Sequence, residues 1–224
     1  MKIAVCIYGQ IPAFKNMIQN HLRYVIGPLQ KFIRITLGDD ISIEYSLCTS
    51  SMDKFSMIEE YRKLIPLDRL HFYGNSNVNL LQKACSIWRE NGHSYRLIIM
   101  IRIDLFFTCA LRESDMDRMI QHSQGEEMIY MGEDMGMGFI MGPPSTMIHM
   151  ESIYEYVYGR TRLEKNWKRI LQDCLEKEKL RCQWISIIAV RIQENGEVNP
   201  MDTKKCAYLE DLLMDDNITS YQKL

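Results

Sequence analysis

No stretch of this 224-residue chain reaches the roughly 20 consecutive apolar residues that a membrane-spanning helix needs, and no charged segment followed by an apolar core opens it. The expectation is a protein that stays in solution, in the cytoplasm. Positive charge is not in excess either: 27 Lys and Arg stand against 29 Asp and Glu, for a net charge of −2, so no basic field exists to hold nucleic acid by counterion release. Seven cysteines are present (Cys6, Cys48, Cys85, Cys109, Cys174, Cys182, Cys206), but none lies in a Cys-x-x-Cys pair or at Cys/His metal spacing. Scattered through apolar runs, they read as reduced core thiols. Glycine is scarce where a dinucleotide fold needs it, since the first turn, Tyr8-Gly9-Gln10-Ile11-Pro12, has one glycine in place of three. That excludes a dinucleotide-dependent oxidoreductase. No internal repeat occurs, and the sixteen methionines sit among other apolar residues as gap-fillers.

What the chain does have is Tyr95-Arg96-Leu97-Ile98-Ile99-Met100-Ile101-Arg102-Ile103-Asp104-Leu105-Phe106-Phe107. A β-branched and apolar run of this length predicts one strand buried on both faces of a parallel sheet. Arg102 and Asp104 interrupt it two residues apart, so a strand's period of two places them on one face near the carboxyl end. Burying either charge alone is costly. Either they form a structural ion pair, or a charged ligand sits there, as ligands of open α/β sheets do outside the carboxyl ends of strands.

The remainder alternates strands and helices. Lys2–Ile7 predicts the first strand, followed by a helix from Ala13 to about Ile35 interrupted near Gly27-Pro28. Ile41–Leu47 and Leu70–Tyr73 predict further strands, with helices after Asp53 and after Asn75-Ser76-Asn77. Past Phe107 come a short helix, Ser114–Gln121, and the strand Met128–Met131. The segment Gly132-Glu133-Asp134-Met135-Gly136-Met137-Gly138-Phe139-Ile140-Met141-Gly142 follows, where four glycines around one strand imply close approach of backbone and two acids stand at its entrance. Met147–Tyr158, Thr161–Leu180 and Cys182–Glu194 predict helices, and the polar stretch from Met201 holds a short helical patch at Tyr208–Met214. The sum is a single α/β domain.

The opening Lys2–Gln10, the middle Tyr95–Leu105 and the later Gly136–Pro143 together resemble a GT-A type glycosyltransferase, a Rossmann-like, mostly parallel sheet flanked by helices. They look most like the glycosyltransferase domains of large DNA viruses infecting algae, particularly the first domain of a multidomain chlorella-virus enzyme; a viral origin would make the compartment the host cytoplasm. The resemblance implies a nucleotide-binding half (1–109), an acceptor half (110–200) and a C-terminal tail (201–224). It implies transfer of a sugar, rhamnose or glucose among the candidates, from a nucleotide diphosphate donor such as a UDP-sugar to a glycan acceptor, assisted by Mn²⁺ or Mg²⁺.

In that family an Asp-x-Asp motif holds the metal against the donor diphosphate; here Arg102 replaces the first acid and leaves Asp104 as the direct ligand. Tyr8, Gly9 and Gln10 match the loop that holds base and ribose, and Thr49 and Ser50 the neighbouring strand end, although all five are also ordinary turn residues. Lys83, next to Gln82 at a helix start, is a phosphate contact or part of a solvated face. Asp134, with Glu133 second, is the candidate base for the acceptor hydroxyl; otherwise both are exposed loop acids. His149 is a further metal ligand or a structural histidine. The competing class is a nucleotide-sugar-binding or assembly module that keeps the fold without turnover.

Overall fold

Strand β1 (Lys2–Tyr8) alternates Ile3, Val5 and Ile7 with Ala4, Cys6 and Tyr8, and all six are buried, so both of its faces must be covered. In the computed structural model of the chain they are. The structure describes residues 2–11, 16–38, 40–50, 55–72, 77–89, 94–122, 128–132, 138–161, 167–193, 195 and 197. The strands β2 (Ser42–Thr49), β3 (Leu67–Phe72), β4 (Tyr95–Arg102), β6 (Met128–Gly132), β7 (Phe139–Gly142) and β8 (Arg181–Ile185) join β1 in one sheet of order β3-β2-β1-β4-β7-β6-β8. Strand β1 is central and parallel to both neighbours, with Tyr8 opposite Cys48 and Arg102.

The two faces are two cores. Ile3, Val5 and Ile7 pack with Leu47, Ile99 and Ile101 beneath α1 (Met17–His21), α2 (Gly27–Leu37), α3 (Phe55–Leu64) and α5 (Glu113–His122). Ala4, Cys6 and Tyr8 pack with Cys48, Ile98 and Met100 beneath α4 (Asn77–Arg89), α6 (Pro144–Met147), α7 (Met150–Thr161) and α8 (Trp167–Lys177). This is the single α/β domain, mostly parallel and flanked by helices, that the pattern predicts.

Four local expectations change. The run Tyr95–Phe107 is not one strand: β4 ends at Arg102, the chain turns at Ile103-Asp104, and β5 (Leu105–Phe107) pairs antiparallel with β9 (Ala189–Arg191) in a second, two-stranded sheet. Nor is β4 flanked by parallel strands alone, because β7 pairs with it antiparallel, Met100 opposite Ile140. The first helix is not interrupted at Gly27-Pro28. A π-helical turn, Leu22–Ile26, carries it through: Gly27 N–H bonds the Leu22 carbonyl, and the Tyr24 carbonyl, which Pro28 has no N–H to meet, accepts from Leu111 N–H at 2.8 Å. A Cβ on Gly27 would stand 2.6 Å from the Leu22 oxygen, which explains the glycine.

The fourth change concerns Cys182–Glu194, expected as a helix and found as β8 and β9. Helix α8 is closed by Lys179 in the left-handed conformation (φ 57°) and by a Leu180 N–H to Leu175 carbonyl bond of 2.8 Å. The chain beyond it then pairs with β6 and β5. Its burial has period two, Ile185, Ile187 and Ala189 inside with Ser186 and Ile188 exposed between them, which suits a stretch rich in β-branched residues.

Strand β5 is held on its other edge by side chains. Buried Asn20 donates from Nδ2 to the Phe107 carbonyl (2.8 Å) and accepts the Phe107 N–H on Oδ1 (2.7 Å), imitating one rung of a ladder. His21 Nε2 lies 2.7 Å from the Leu105 carbonyl and therefore carries the proton and donates. Fully buried, its imidazole is pushed from the ordinary 6.5 down to about 4, first by desolvation, against the opposing pull of the Leu105 carbonyl and Asp104. As pH falls, the unfolded chain therefore binds a proton at His21 before the folded one does. The stabilisation is complete above pH 6.5 and drains away on the way to pH 4, by on the order of 3 kcal/mol. Urea denaturation across that range should show a shallower pH slope for His21→Gln than for the wild-type chain; equal slopes would contradict this account.

Candidate active site at the carboxyl end of the central strands

Strands β1, β2 and β4 end side by side, and what they carry there follows from their alternation. Tyr8 continues the Ala4, Cys6 series and Arg102 the Ile98, Met100 series, so both point to the α4 and α7 side and stand opposite each other in register. Asp104 lies beyond the turn, but the turn keeps it within reach of Arg102. Nε donates to Oδ1 at 3.0 Å and a terminal nitrogen to Oδ2 at 2.5 Å, a two-point pair with side chains 17% and 18% exposed. Solvent, and hence a ligand, still reaches it. The turn is pinned at both residues, since Ile103 N–H bonds the Tyr8 carbonyl and Ile192 N–H bonds the Asp104 carbonyl, each at 2.8 Å.

Around the guanidinium are residues that sequence alone did not single out. Tyr154 of α7 adds a second buried phenol, stacked on the half-exposed ring of Tyr158 with centroids 6.1 Å apart. Burial pushes the Tyr8 and Tyr154 hydroxyls upward, more than the nearby Arg102 lowers them, so both remain protonated. For Arg102, burial opposes the charge, but the Asp104 carboxylate beside it favours the charge, and the guanidinium is more firmly charged than usual. The signal for Tyr154 was its spacing of four from Tyr158, which reads equally as an ordinary helix face. Gly138, the first described residue after 133–137, touches the same group: a Cβ there would meet Leu105 Cδ1 at 2.9 Å and Arg102 Cδ at 3.4 Å. That is the close backbone approach the glycines imply.

The other sequence candidates spread out from this centre. Gly9, with φ 129° and its N–H on the Cys48 carbonyl at 3.0 Å, starts the loop at the end of β1, and half-buried Gln10 follows. Thr49 follows Leu47 in alternation and so faces the opposite side of the sheet from Arg102; it is fully buried and its hydroxyl has no hydrogen-bond partner among the described residues. Ser50, half-buried, is the next residue outward. Lys83 lies in the middle of α4, not at its start, and close enough to the Cys48 thiol to oppose the burial that pushes that thiol up to about 12. Its neighbour Gln82 bonds Glu155 of α7.

His149 is not brought to Asp104. Arg89, the last residue of α4 and therefore near the entry of β4, bonds Glu151 and the Ile148 carbonyl, which puts His149 at the end of the sheet away from Arg102. There its Nδ1 is 3.2 Å from Glu178. Glu133 and Asp134 lie outside the described residues. Among those described, no three His, Cys, Asp or Glu side chains gather as a metal site, and both oxygens of Asp104 are engaged by Arg102. The described residues therefore do not fit a resident Mn²⁺ or Mg²⁺ ion.

No family model and no curated protein matches the sequence. Solved structures do share the fold. One, described as a nucleotide-diphospho-sugar transferase from Desulfovibrio desulfuricans G20, matches at 9% identity and a TM-score of 0.50 over 83% of this chain and 79% of its own. A 4-diphosphocytidyl-2C-methyl-D-erythritol synthase matches at 14% identity and 0.50 over 96% and 98%. The same synthase from Anaerococcus prevotii DSM 20548 matches at 9% and 0.52 over 94% and 98%. The likeness at these identities is one of fold, and the fold is nucleotide-diphospho-sugar-transferase-like.

The Arg102–Asp104 pair also makes a stability prediction. A double-mutant cycle of Arg102→Met and Asp104→Asn, followed by urea denaturation, should give a coupling of about 1–3 kcal/mol with every variant still folded. Additive effects would mean that the two side chains do not act as a pair.

Proposed function

We propose that the chain is a glycosyltransferase that moves a sugar from a nucleotide diphosphate donor, UDP-linked, to a glycan acceptor, with the donor diphosphate at the carboxyl ends of β1 and β4. The observation that carries the reading is the charged Arg102 guanidinium, held by Asp104 at a strand exit of a nucleotide-diphospho-sugar-transferase-like fold. As the glycosidic bond breaks, negative charge builds on the departing nucleoside diphosphate. A fixed guanidinium at that point acts on the transition state more than on the bound donor. Gly9 and Gln10 stand at the adjacent strand end, where the base and ribose would lie. The resemblance to algal-virus glycosyltransferases supports the donor class, with rhamnose and glucose as first trials.

Asp134 is assigned as the base that takes the proton from the acceptor hydroxyl, with Glu133 as the substitute. What supports it is the chain itself: Gly138, four residues on from Asp134, lies against the aliphatic stem of Arg102. A second reading, transfer of a nucleotidyl group, is favoured by the two synthases covered almost end to end. A binding module without turnover is the third.

Two measurements decide among them. UDP or a UDP-sugar should raise the melting temperature while NAD and ATP do not, because a ligand that binds the folded state alone stabilises it by mass action. A shift with CDP alone would favour the nucleotidyl reading, and equal shifts with NAD would contradict the site. Asp134→Asn should then leave donor affinity unchanged and slow transfer by roughly 10²–10⁴-fold in an assay with a matched acceptor. Full transfer by that variant would remove Asp134 from the role.

A further inference from the structure

We propose that Arg102 takes the place of a divalent cation at the donor diphosphate, with Asp104 as its positioning residue, so that nucleoside diphosphates bind this chain without a metal ion. The inference rests on the reading of the site as a nucleotide-sugar site.

It comes from the geometry of the fork. A guanidinium has five N–H donors. Asp104 engages two of them, one at Nε and one on a terminal nitrogen, and Arg102 has no other hydrogen-bond partner among the described residues. The edge formed by the two terminal nitrogens is left to meet a phosphate with two parallel bonds, while the opposite edge stays clamped. The pair is shielded enough to be strong and open enough to be reached, at 17% and 18% exposure.

Asp104 is poorly placed to do the alternative job. An ion ligated there would share oxygens already held by the guanidinium and would set two further positive charges beside it. Among the described residues no three His, Cys, Asp or Glu side chains gather there, and His149, just before α7, pairs with Glu178. The groups that do surround Arg102 suit an anion: Tyr8 and Tyr154 remain neutral, and Lys83 puts another cation on the same side of the sheet, near Cys48. Gly138 leaves room for the stem of Arg102, whose Cδ a Cβ at that position would meet at 3.4 Å, while Asp104 holds the fork.

The test uses the full chain with UDP, CDP and inorganic pyrophosphate as calorimetric probes, in EDTA and again in Mn²⁺. UDP affinity should agree within about twofold in the two buffers. Mn²⁺ titrated with protein alone should keep the electron paramagnetic resonance signal of the free ion. In EDTA, Arg102→Lys, which keeps the charge and loses the fork, should weaken UDP by about tenfold or more. Asp104→Asn should weaken it less, leaving the fork present but loosely aimed, and should not create a metal requirement. Binding of UDP in Mn²⁺ only, abolished by Asp104→Asn, would overturn the inference and leave the glycosyltransferase reading standing. Binding of none of the probes in either buffer would overturn both. Should Arg102→Lys unfold, the wild-type comparison in the two buffers still decides.

Discussion

Everything at the candidate site depends on the bend at Ile103-Asp104. A strand that continued straight from Arg102 would carry Asp104, Leu105 and Phe107 out along β4. The bend instead sends β5 into a separate small sheet and holds the carboxylate beside the guanidinium. Asp104 is a turn-favouring residue but Ile103 is not, so local preference alone does not make the bend. It is held by four groups from three other parts of the chain: the Tyr8 carbonyl at the end of β1, the Ile192 N–H after β9, and the Asn20 amide and His21 imidazole of α1. Backbone groups that leave a sheet must be satisfied elsewhere, and Ile192, Asn20 and His21 meet ones that the main sheet no longer does. The same helix that supplies Asn20 and His21 continues into the π-helical turn that accommodates Pro28, so a backbone irregularity far along the sequence supports the site.

This explains which parts were legible in the sequence. Strands β1 and β4 stand out because a strand covered on both faces is an unbroken apolar run, β2 because its residues alternate at period two, and the Arg102–Asp104 pair because charges inside an apolar run are rare. The α/β succession and the close approach at the later glycines follow from the same kind of signal. The bend was not legible, because Ile103 and Leu105–Phe107 are as apolar and β-prone as the residues before them and the bonds that force the turn come from distant segments. A spacing of two put Arg102 and Asp104 together for a straight strand; they are together for a different reason.

The strands at 181–191 show the other limit. An apolar stretch of this length fits a buried helix or two short strands, and the choice is made by the open edges of β6 and β5, which sequence does not display. The choice matters to the site, since Ile192, next after β9, donates to the Asp104 carbonyl. Side-chain placement was legible where alternation could be carried forward, as for Tyr8 and Arg102. It was not for Thr49, whose position at a strand end says nothing of which face it takes until the register is known. His149 is the clearest case of a residue type suggesting a role that position does not supply, because it lies just before α7, paired with Glu178 and next to the Ile148 carbonyl that Arg89 holds.

The central claim is that the free edge of the Arg102 fork receives the donor diphosphate while Asp104 keeps the other edge. The most direct measurement is a crystal structure of the chain grown with UDP in the presence of EDTA. Phosphate oxygens should lie within hydrogen-bond distance of the two terminal nitrogens of Arg102, with the Asp104 carboxylate still on Nε. Phosphates bound away from Arg102, or a carboxylate swung off the guanidinium, would contradict it.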